Sequence, residues 1–366
     1  MTEAAVLESP KRPLELVDVE LEGPHSGEVM VEIGATGVCH SDISVYDETL
    51  PNPFPVVLGH EGAGTVVEVG DGVTNVRPGD RVVLAWLAQC GVCFYCTHGQ
   101  PALCEVAGGA MARGTLLDGT TRFRWKGKPV YHMAGLGTFS RRCVVSARAA
   151  VKVPDTLDIA AAALIGCGVL TGFGAAVNTA DIRPGDTVAV VGCGGVGLNA
   201  VQGARISGAS QIVAVDMHPE RLELAEQFGA THTIEAGDEV IEKVREITSG
   251  RGADVALEVV GRQETIRDAI RMTRRGGQTI LVGAGGSSVT VNVPAFTGIV
   301  MTEKTIRGSL YGSASTLRDV DLVCRLYESG LLKLDQLVSA KFKFEEVNEA
   351  VAYCASESGA RAVILF

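Results

Sequence analysis

The stretch AVVGCGGVGLNAV, Ala189–Val201, decides the fold of this 366-residue chain. Its glycines Gly192, Gly194 and Gly197 follow an apolar run, TVAVVG, that reads as a strand, and open a periodic run, VGLNAVQGARISGA, that reads as a helix. The first two glycines suit a tight turn whose backbone N–H groups can reach a pyrophosphate. The third permits close helix packing, and Gly195 and Val196 complete the turn. The next strand, QIVAVD, ends in Asp216, whose carboxylate can accept both ribose hydroxyls of an adenosine. Its charge would repel a 2′-phosphate, and Met217 and His218 bring no arginine, so NAD is favoured over NADP.

Working outward, strand and helix patterns alternate from Asp186 through PERLELAEQFGA, VIEKVREITSG, DVALEVVG, TIRDAIRMTRRGG and QTILVGAG. Apolar strands between amphipathic helices predict a doubly wound parallel sheet covered on both faces, a Rossmann lobe over 169–310. From Val29 to about Val153 the pattern is instead short β-like runs between Gly, Pro and Asp turns, a second, β-rich lobe. After about Tyr311 one helix-like run and a β-like end, ARAVILF, are expected to return to that lobe, giving it 1–168 and 311–366. A chain 46% hydrophobic of this length fits two cores better than one. A formal charge of −11 with no basic block disfavours nucleic acid and anionic membranes as partners. MTEAAVLESP has no basic region followed by an apolar run, and no segment is apolar enough to span a bilayer, so a soluble, cytoplasmic protein is expected.

In that compartment thiols stay reduced, and CGVCFYCTHGQPALC, Cys90–Cys104, reads as a metal loop. Cys90, Cys93, Cys96 and Cys104 suit a tetrahedral Zn²⁺ with no position left for a substrate, a structural site. The C-x₂-C-x₂-C opening also resembles an iron–sulfur run, but the fourth cysteine is not at x₃ followed by Pro. Cys39 in GATGVCHSD, His60 in VVLGHEGAG and Cys167 in LIGCGVLTG offer a second ligand set, two thiols and an imidazole with a fourth position open. Spacing alone does not single out this trio, since a lone cysteine among apolar neighbours also reads as a small buried hydrophobe.

GVCHSD, GHEGAGTVVEVG, the four-cysteine loop, GCGVLTGFGAAVN and VGCGGVGLNAV together resemble the zinc-dependent medium-chain alcohol dehydrogenases, in that family's order and from about Pro13 to the end. RGTLLDGTTRFRWKGKPVYHMAGLGTFS is similar to the longer insertion of the dimeric liver-type and glutathione-dependent formaldehyde dehydrogenase branch. The resemblance implies a GroES-like catalytic lobe, a Rossmann coenzyme lobe, two zinc ions per subunit and a homodimer through the coenzyme lobes. It assigns Cys39, His60 and Cys167 to the catalytic zinc, Glu61 to a carboxylate that can swing onto the metal, and Asp42 to the partner that orients His60. Ser41 takes the alcohol proton, and His40, Thr171, Arg221, Val282 and Arg361 join Asp216 and the glycines in holding the coenzyme. The implied reaction is hydride transfer between a metal-activated alcohol and NAD.

Two departures are informative. Ser44 stands where several relatives carry a proton-passing histidine, so the relay is shortened or runs through water. Val106-Ala107-Gly108-Gly109 lacks the arginine that the glutathione-dependent branch uses for its adduct, which disfavours formaldehyde–glutathione oxidation. By resemblance the substrate wall comprises Ser41, Leu50, Trp86, Met133, Ala134 and Phe139, apolar apart from the hydroxyl. A primary aromatic, allylic or medium-chain alcohol is therefore expected, and acids and sugar polyols are not. Three rivals carry other functions: a zinc-free quinone-reductase-like enzyme, which the ligand trio opposes, a non-catalytic NAD-binding protein, and a nicotinoprotein that keeps NAD(H) bound.

Overall fold

The computed structural model describes residues 1–356 and 359–366, and the chain divides into two compact units, 1–167 with 315–366 and 168–314.

The first unit holds two sheets. Thr2–Leu7, Glu15–Leu21, Phe123–Trp125, Lys128–His132 and Val56–Val57 close into a small barrel. The seven-stranded sheet is built around Glu28–Val38, which pairs with Glu61–Val69, Arg142–Ser146 and, from the far end of the chain, Arg361–Leu365. The alternation that predicts these strands also explains the core. Val29, Val31 and Ile33 are buried with Val66, Val82, Leu84 and Val145, while Glu32 on the opposite face is exposed. Arg122 is buried beneath the insertion, where its guanidinium meets Glu28 Oε1 at 2.7 Å and Asp118 Oδ2 at 2.6 Å. A buried guanidinium requires such pairing, and the pairing anchors the insertion to the long strand.

The second unit is a six-stranded parallel sheet in the order His232–Glu235, Gln211–Asp216, Thr187–Val191, Ala253–Glu258, Thr273–Leu281, Thr305–Gly308. Thr187–Val191 is buried throughout, as expected of a central strand covered on both faces. The strand order reverses beside it, so its C-terminal end opens the crevice in which such sheets take ligands. Tyr311–Ala314, expected with the β-rich lobe, group with this unit instead. The reason is a close backbone contact. A Cβ on Gly312 (φ 64°) would lie 2.2 Å from the Leu170 carbonyl, and Asn178 Nδ2 donates to the Gly312 carbonyl at 3.2 Å.

Candidate active site

Cys39, His60, Glu61 and Cys167 come together in the first unit, all four buried, with one donor atom from each lying within 4.8 Å of the others. Strand pairing makes the cluster. Gly37 is opposite Glu61 in the register of Glu28–Val38 with Glu61–Val69, so Cys39 leaves one strand where His60 and Glu61 enter the next. A Cβ on Gly37 would sit 2.2 Å from Glu61 Oε2, so only glycine leaves room for the carboxylate. Cys167 arrives on the wide turn Ile165–Val169, pressed close because a Cβ on Gly166 would meet the Leu84 carbonyl at 2.0 Å.

Asp42, with no exposed surface, fixes the arrangement. Its carboxylate accepts the backbone N–H of Cys39 at 2.9 Å and of Gly59 at 2.9 Å, and lies 3.3 Å from His60 Nδ1. A proton held on Nδ1 leaves Nε2 as the ligand atom. The Ser41 hydroxyl is 3.9 Å from Cys39 Sγ and half-buried. Arg361, expected as a phosphate contact, has its Nη2 3.5 Å from Glu61 Oε1, where Arg361–Leu365 pairs beside Val38.

Electrostatics mark the cluster as a cation site. Burial pushes the Glu61 carboxyl up to about 7 against the opposing charge of Arg361. A hydrogen bond from Cys167 holds the Cys39 thiol well below the usual range, and the same contact holds Cys167 well above it. Neither Glu61 oxygen has a hydrogen-bond partner, and the Arg361 guanidinium faces Oε1 at 3.5 Å, so a cation at Oε2 would compensate the rest of the buried carboxylate. Two thiols, an imidazole and a carboxylate in one buried pocket fit Zn²⁺.

Cys90, Cys93, Cys96 and Cys104 likewise bring their sulfurs within 4.8 Å. Backbone N–H groups converge on them, Cys90 and Ala107 donating to Cys104 Sγ at 3.3 and 3.5 Å and Cys93 donating to Cys90 Sγ at 3.3 Å. Hydrogen bonding, with the Cys96 amide foremost, pulls the Cys93 thiol down to about 6. Burial pushes the neighbouring Cys96 thiol up to about 12, as a cluster of sulfurs without a cation requires, and four cysteines so placed fit a closed tetrahedral Zn²⁺.

In the second unit the glycine loop has the geometry a dinucleotide needs. Gly192 has φ 95°, a Cβ on Gly194 would meet open space, and a Cβ on Gly197 would strike the Gly192 carbonyl at 1.8 Å. The three therefore serve turn, ligand approach and helix packing in that order. Gly195 and Val196 form the first turn of the helix Gly195–Ile206, whose N-terminus is a site for phosphate. Asp216 is buried at the end of its strand and accepts Cys193 N–H at 2.7 Å, which ties its carboxylate to the loop. Arg221, expected among the coenzyme-holding residues, has its Nη1 3.9 Å from Asp216 Oδ2, brought round by the helix Pro219–Phe228. Val282 donates its N–H to the Glu258 carbonyl at 2.8 Å, Thr171 is half-buried on Leu170–Gly174, and His40 is exposed in the first unit.

Of the expected substrate wall, Trp86, Met133, Ala134 and Phe139 belong to or pack against one core. Trp86 and Ala134 line a small cavity of the first unit, of about 20 Å³. Phe139 and Met133 are core residues, Phe139 directly beneath Gly59, and Leu50 is 45% exposed. The sequence reading missed the cavity's other side, Ala107, Ala110 and Met111 on the helix Glu105–Arg113. Their i, i+3, i+4 spacing was the available signal. Among the described residues no helix is long and apolar enough to cross a membrane.

Known proteins agree with this geometry. The family described as "Alcohol dehydrogenase GroES-like domain" matches residues 25–155, and "Zinc-binding dehydrogenase" matches residues 195–324. The NDMA-dependent alcohol dehydrogenase of Amycolatopsis methanolica is 42% identical over 369 residues, covering 100% of this chain and 98% of that protein. An S-(hydroxymethyl)glutathione dehydrogenase of Escherichia coli is 38% identical, with 99% of each covered. The crystal structure of benzyl alcohol dehydrogenase from Acinetobacter calcoaceticus superposes with a TM-score of 0.93 at 33% identity, covering 100% of this chain and 99% of that one. With both ligand sets, the glycine loop and these relatives in agreement, the chain belongs to the zinc-dependent medium-chain alcohol dehydrogenase family and is an oxidoreductase acting on alcohols.

Proposed function

We propose that this protein interconverts a primary aromatic, allylic or medium-chain alcohol and its aldehyde, with NAD as the hydride acceptor. The observation that carries the substrate class is the cavity beside Trp86, whose lining includes no charged side chain and, as polar side-chain groups, the hydroxyls of Thr115 and Ser146 and the indole N–H of Trp86. Acids and polyols would bury polar groups there without partners.

Zinc supplies a Lewis acid that lowers the alcohol's pKa, and the nicotinamide supplies the hydride acceptor. Cys39, His60 and Cys167 would hold the zinc and leave a position for substrate, with Glu61, in the same cluster, as an exchange ligand. Asp42 keeps the His60 ring in one orientation and tautomer. Ser41 takes the alcohol proton at Oγ, and with Ser44 in place of a titrating relay the proton leaves through water. The apolar wall keeps bulk water from the reacting carbon. Asp216 supports NAD by the hydroxyls it can accept and the 2′-phosphate it repels.

A homodimer through the coenzyme lobes belongs to the same reading. The sheet ends in the exposed strand Thr305–Gly308, and Phe296, Val300 and Met301 nearby in sequence are 66, 62 and 52% exposed. A solution mass of two chains rather than one checks it.

A second reading rests on one observation, the name of the 42% identical relative, which is NDMA-dependent. On that reading NAD(H) stays bound through the cycle and a second substrate reoxidises it. The E. coli relative's glutathione adduct is disfavoured because Val106-Ala107-Gly108-Gly109 offers no cation for its carboxylates.

The test is a panel of ethanol, hexanol, benzyl alcohol, cinnamyl alcohol, geraniol and sorbitol with added NAD. Highest kcat/KM is expected for benzyl alcohol, cinnamyl alcohol, geraniol or hexanol. Preference for sorbitol, or activity confined to ethanol, overturns the substrate class. Absorbance near the NADH band in the purified protein, with no turnover of free NAD, selects the bound-coenzyme reading.

A further inference from the structure

The turn that carries His60 and Glu61 is held from behind by the end of the insertion. Thr138 N–H donates to the Gly59 carbonyl at 3.0 Å and Phe139 N–H to the Leu58 carbonyl at 2.9 Å, so two successive amides grip the two residues that precede His60. Gly59 is gripped on its other side by Asp42, which accepts its N–H at 2.9 Å and also faces His60 Nδ1. The Thr138 side chain, wholly buried, divides between the two glycines that flank the ligand pair. A Cβ on Gly59 would lie 2.5 Å from Thr138 Oγ1, and a Cβ on Gly62 would lie 2.6 Å from Thr138 Cγ2. Each branch of the threonine thus occupies the space that a glycine leaves open beside His60 or Glu61.

A buried hydroxyl needs a partner, and Thr36 supplies it. Thr138 Oγ1 lies 2.7 Å from Thr36 Oγ1, and Thr36 donates to the Gly37 carbonyl at 3.4 Å, which makes Thr138 the donor within the pair. Thr36 is itself wholly buried and stands opposite Gly62 in the register of Glu28–Val38 with Glu61–Val69, on the strand that delivers Cys39. The two hydroxyls therefore tie the segment behind His60 to the strand that ends at Cys39. Threonine presents a hydroxyl to Thr36 and a methyl to Gly62 from one Cβ, and that branching leaves χ1 few alternatives.

We propose that Thr138, held by Thr36, is a positioning residue of the open metal site. Through it the end of the insertion sets where His60 and Glu61 stand, and so how tightly and in what geometry the metal is bound there. The inference goes beyond the alcohol reading and holds whichever alcohol is oxidised, because its readout is the metal rather than turnover.

Thr138→Val, which keeps the shape and removes the hydrogen bond, carries the test, with Thr36→Val as the partner variant and Thr138→Ser to restore the hydroxyl. Zinc release to a colorimetric chelator is followed for each, and Cys167→Ser identifies the phase that belongs to the four-cysteine site. Release from the open site is expected to be about tenfold faster in Thr138→Val and in Thr36→Val, and no faster than that in the double variant, with the four-cysteine phase unchanged. Thr138→Ser is expected to release its zinc at a rate close to that of the unsubstituted protein. With Co²⁺ at the open site, the two valine variants should also show a displaced thiolate-to-cobalt charge-transfer band, which a general loss of stability does not produce.

Unchanged release and spectrum in Thr138→Val overturn the proposal. Equal acceleration of both release phases overturns it too, because Thr138 would then be core packing alone. Should Thr138→Val fail to accumulate, Thr36→Val decides by the same two outcomes. A protein that binds no metal at the open site would refute the metal site itself, and the positioning role with it.

Discussion

At the scale of single residues, the decisive groups do two jobs each. Asp42 orients His60 and also caps the backbone at Cys39 and Gly59, so the ligand and the turns that carry it are fixed by one carboxylate. Asp216, proposed to meet the coenzyme's ribose, also holds the glycine loop through Cys193 N–H. Removing it should therefore affect more than ribose recognition. In Asp216→Gly the KM for NAD is expected to rise about tenfold or more, while NADP use improves, because Arg221 then meets a 2′-phosphate without the opposing carboxylate. Steady-state kinetics with both coenzymes give the check, and unchanged constants would remove Asp216 from the site. Asp216 was legible in the sequence because the fingerprint and its acidic partner are close along the chain. Arg361 was not, since its contact with Glu61 depends on pairing the last strand with Glu28–Val38, more than 300 residues away in sequence.

At the scale of elements, the same distinction separates the two lobes. Each strand and helix of the parallel sheet carries its own periodicity, so the run from Thr187 to Leu281 could be read locally. The β-rich lobe joins short strands across long separations, and its alternation predicts strands but not their neighbours. The helix Glu105–Arg113 escaped notice because Gly108 and Gly109 interrupt its pattern, and because its start is stabilised by a cysteine rather than by a usual capping residue. The turn after Lys128–His132 carries a prediction of its own. His132 is wholly buried, accepts Arg122 N–H at Nε2 and donates from Nδ1 to the Leu136 carbonyl, which specifies the neutral ring. Burial, together with the charge of Arg122, pulls its pKa down to about 4 against the opposing Leu136 contact. The folded pKa lies below the unfolded value near 6.5, so this contribution is fully present above about pH 6.5 and is lost as pH falls towards 4. The full loss is about 3 kcal/mol. His132→Asn keeps a donor and an acceptor without titrating, so its unfolding midpoint should fall less steeply between pH 7 and 5 than that of the unsubstituted protein. Parallel curves would contradict the assignment.

At the scale of the whole molecule, the account depends on two metal centres that differ in openness and in what they support. The four-cysteine centre has no ligand position to spare and holds the start of a helix, so its metal is part of the folding free energy. Cys39, His60 and Cys167, grouped with Glu61 and near Ser41, would hold a metal with a position to spare, and on the proposed reading that metal serves the chemistry. The most direct test of this division is the metal content of the dialysed protein, set beside that of Cys167→Ser. Two zinc ions per chain are predicted for the unsubstituted protein, and one for Cys167→Ser, which should remain folded with little turnover. A single zinc in the unsubstituted protein, an iron signal, or a Cys167→Ser protein that is fully active would contradict the account.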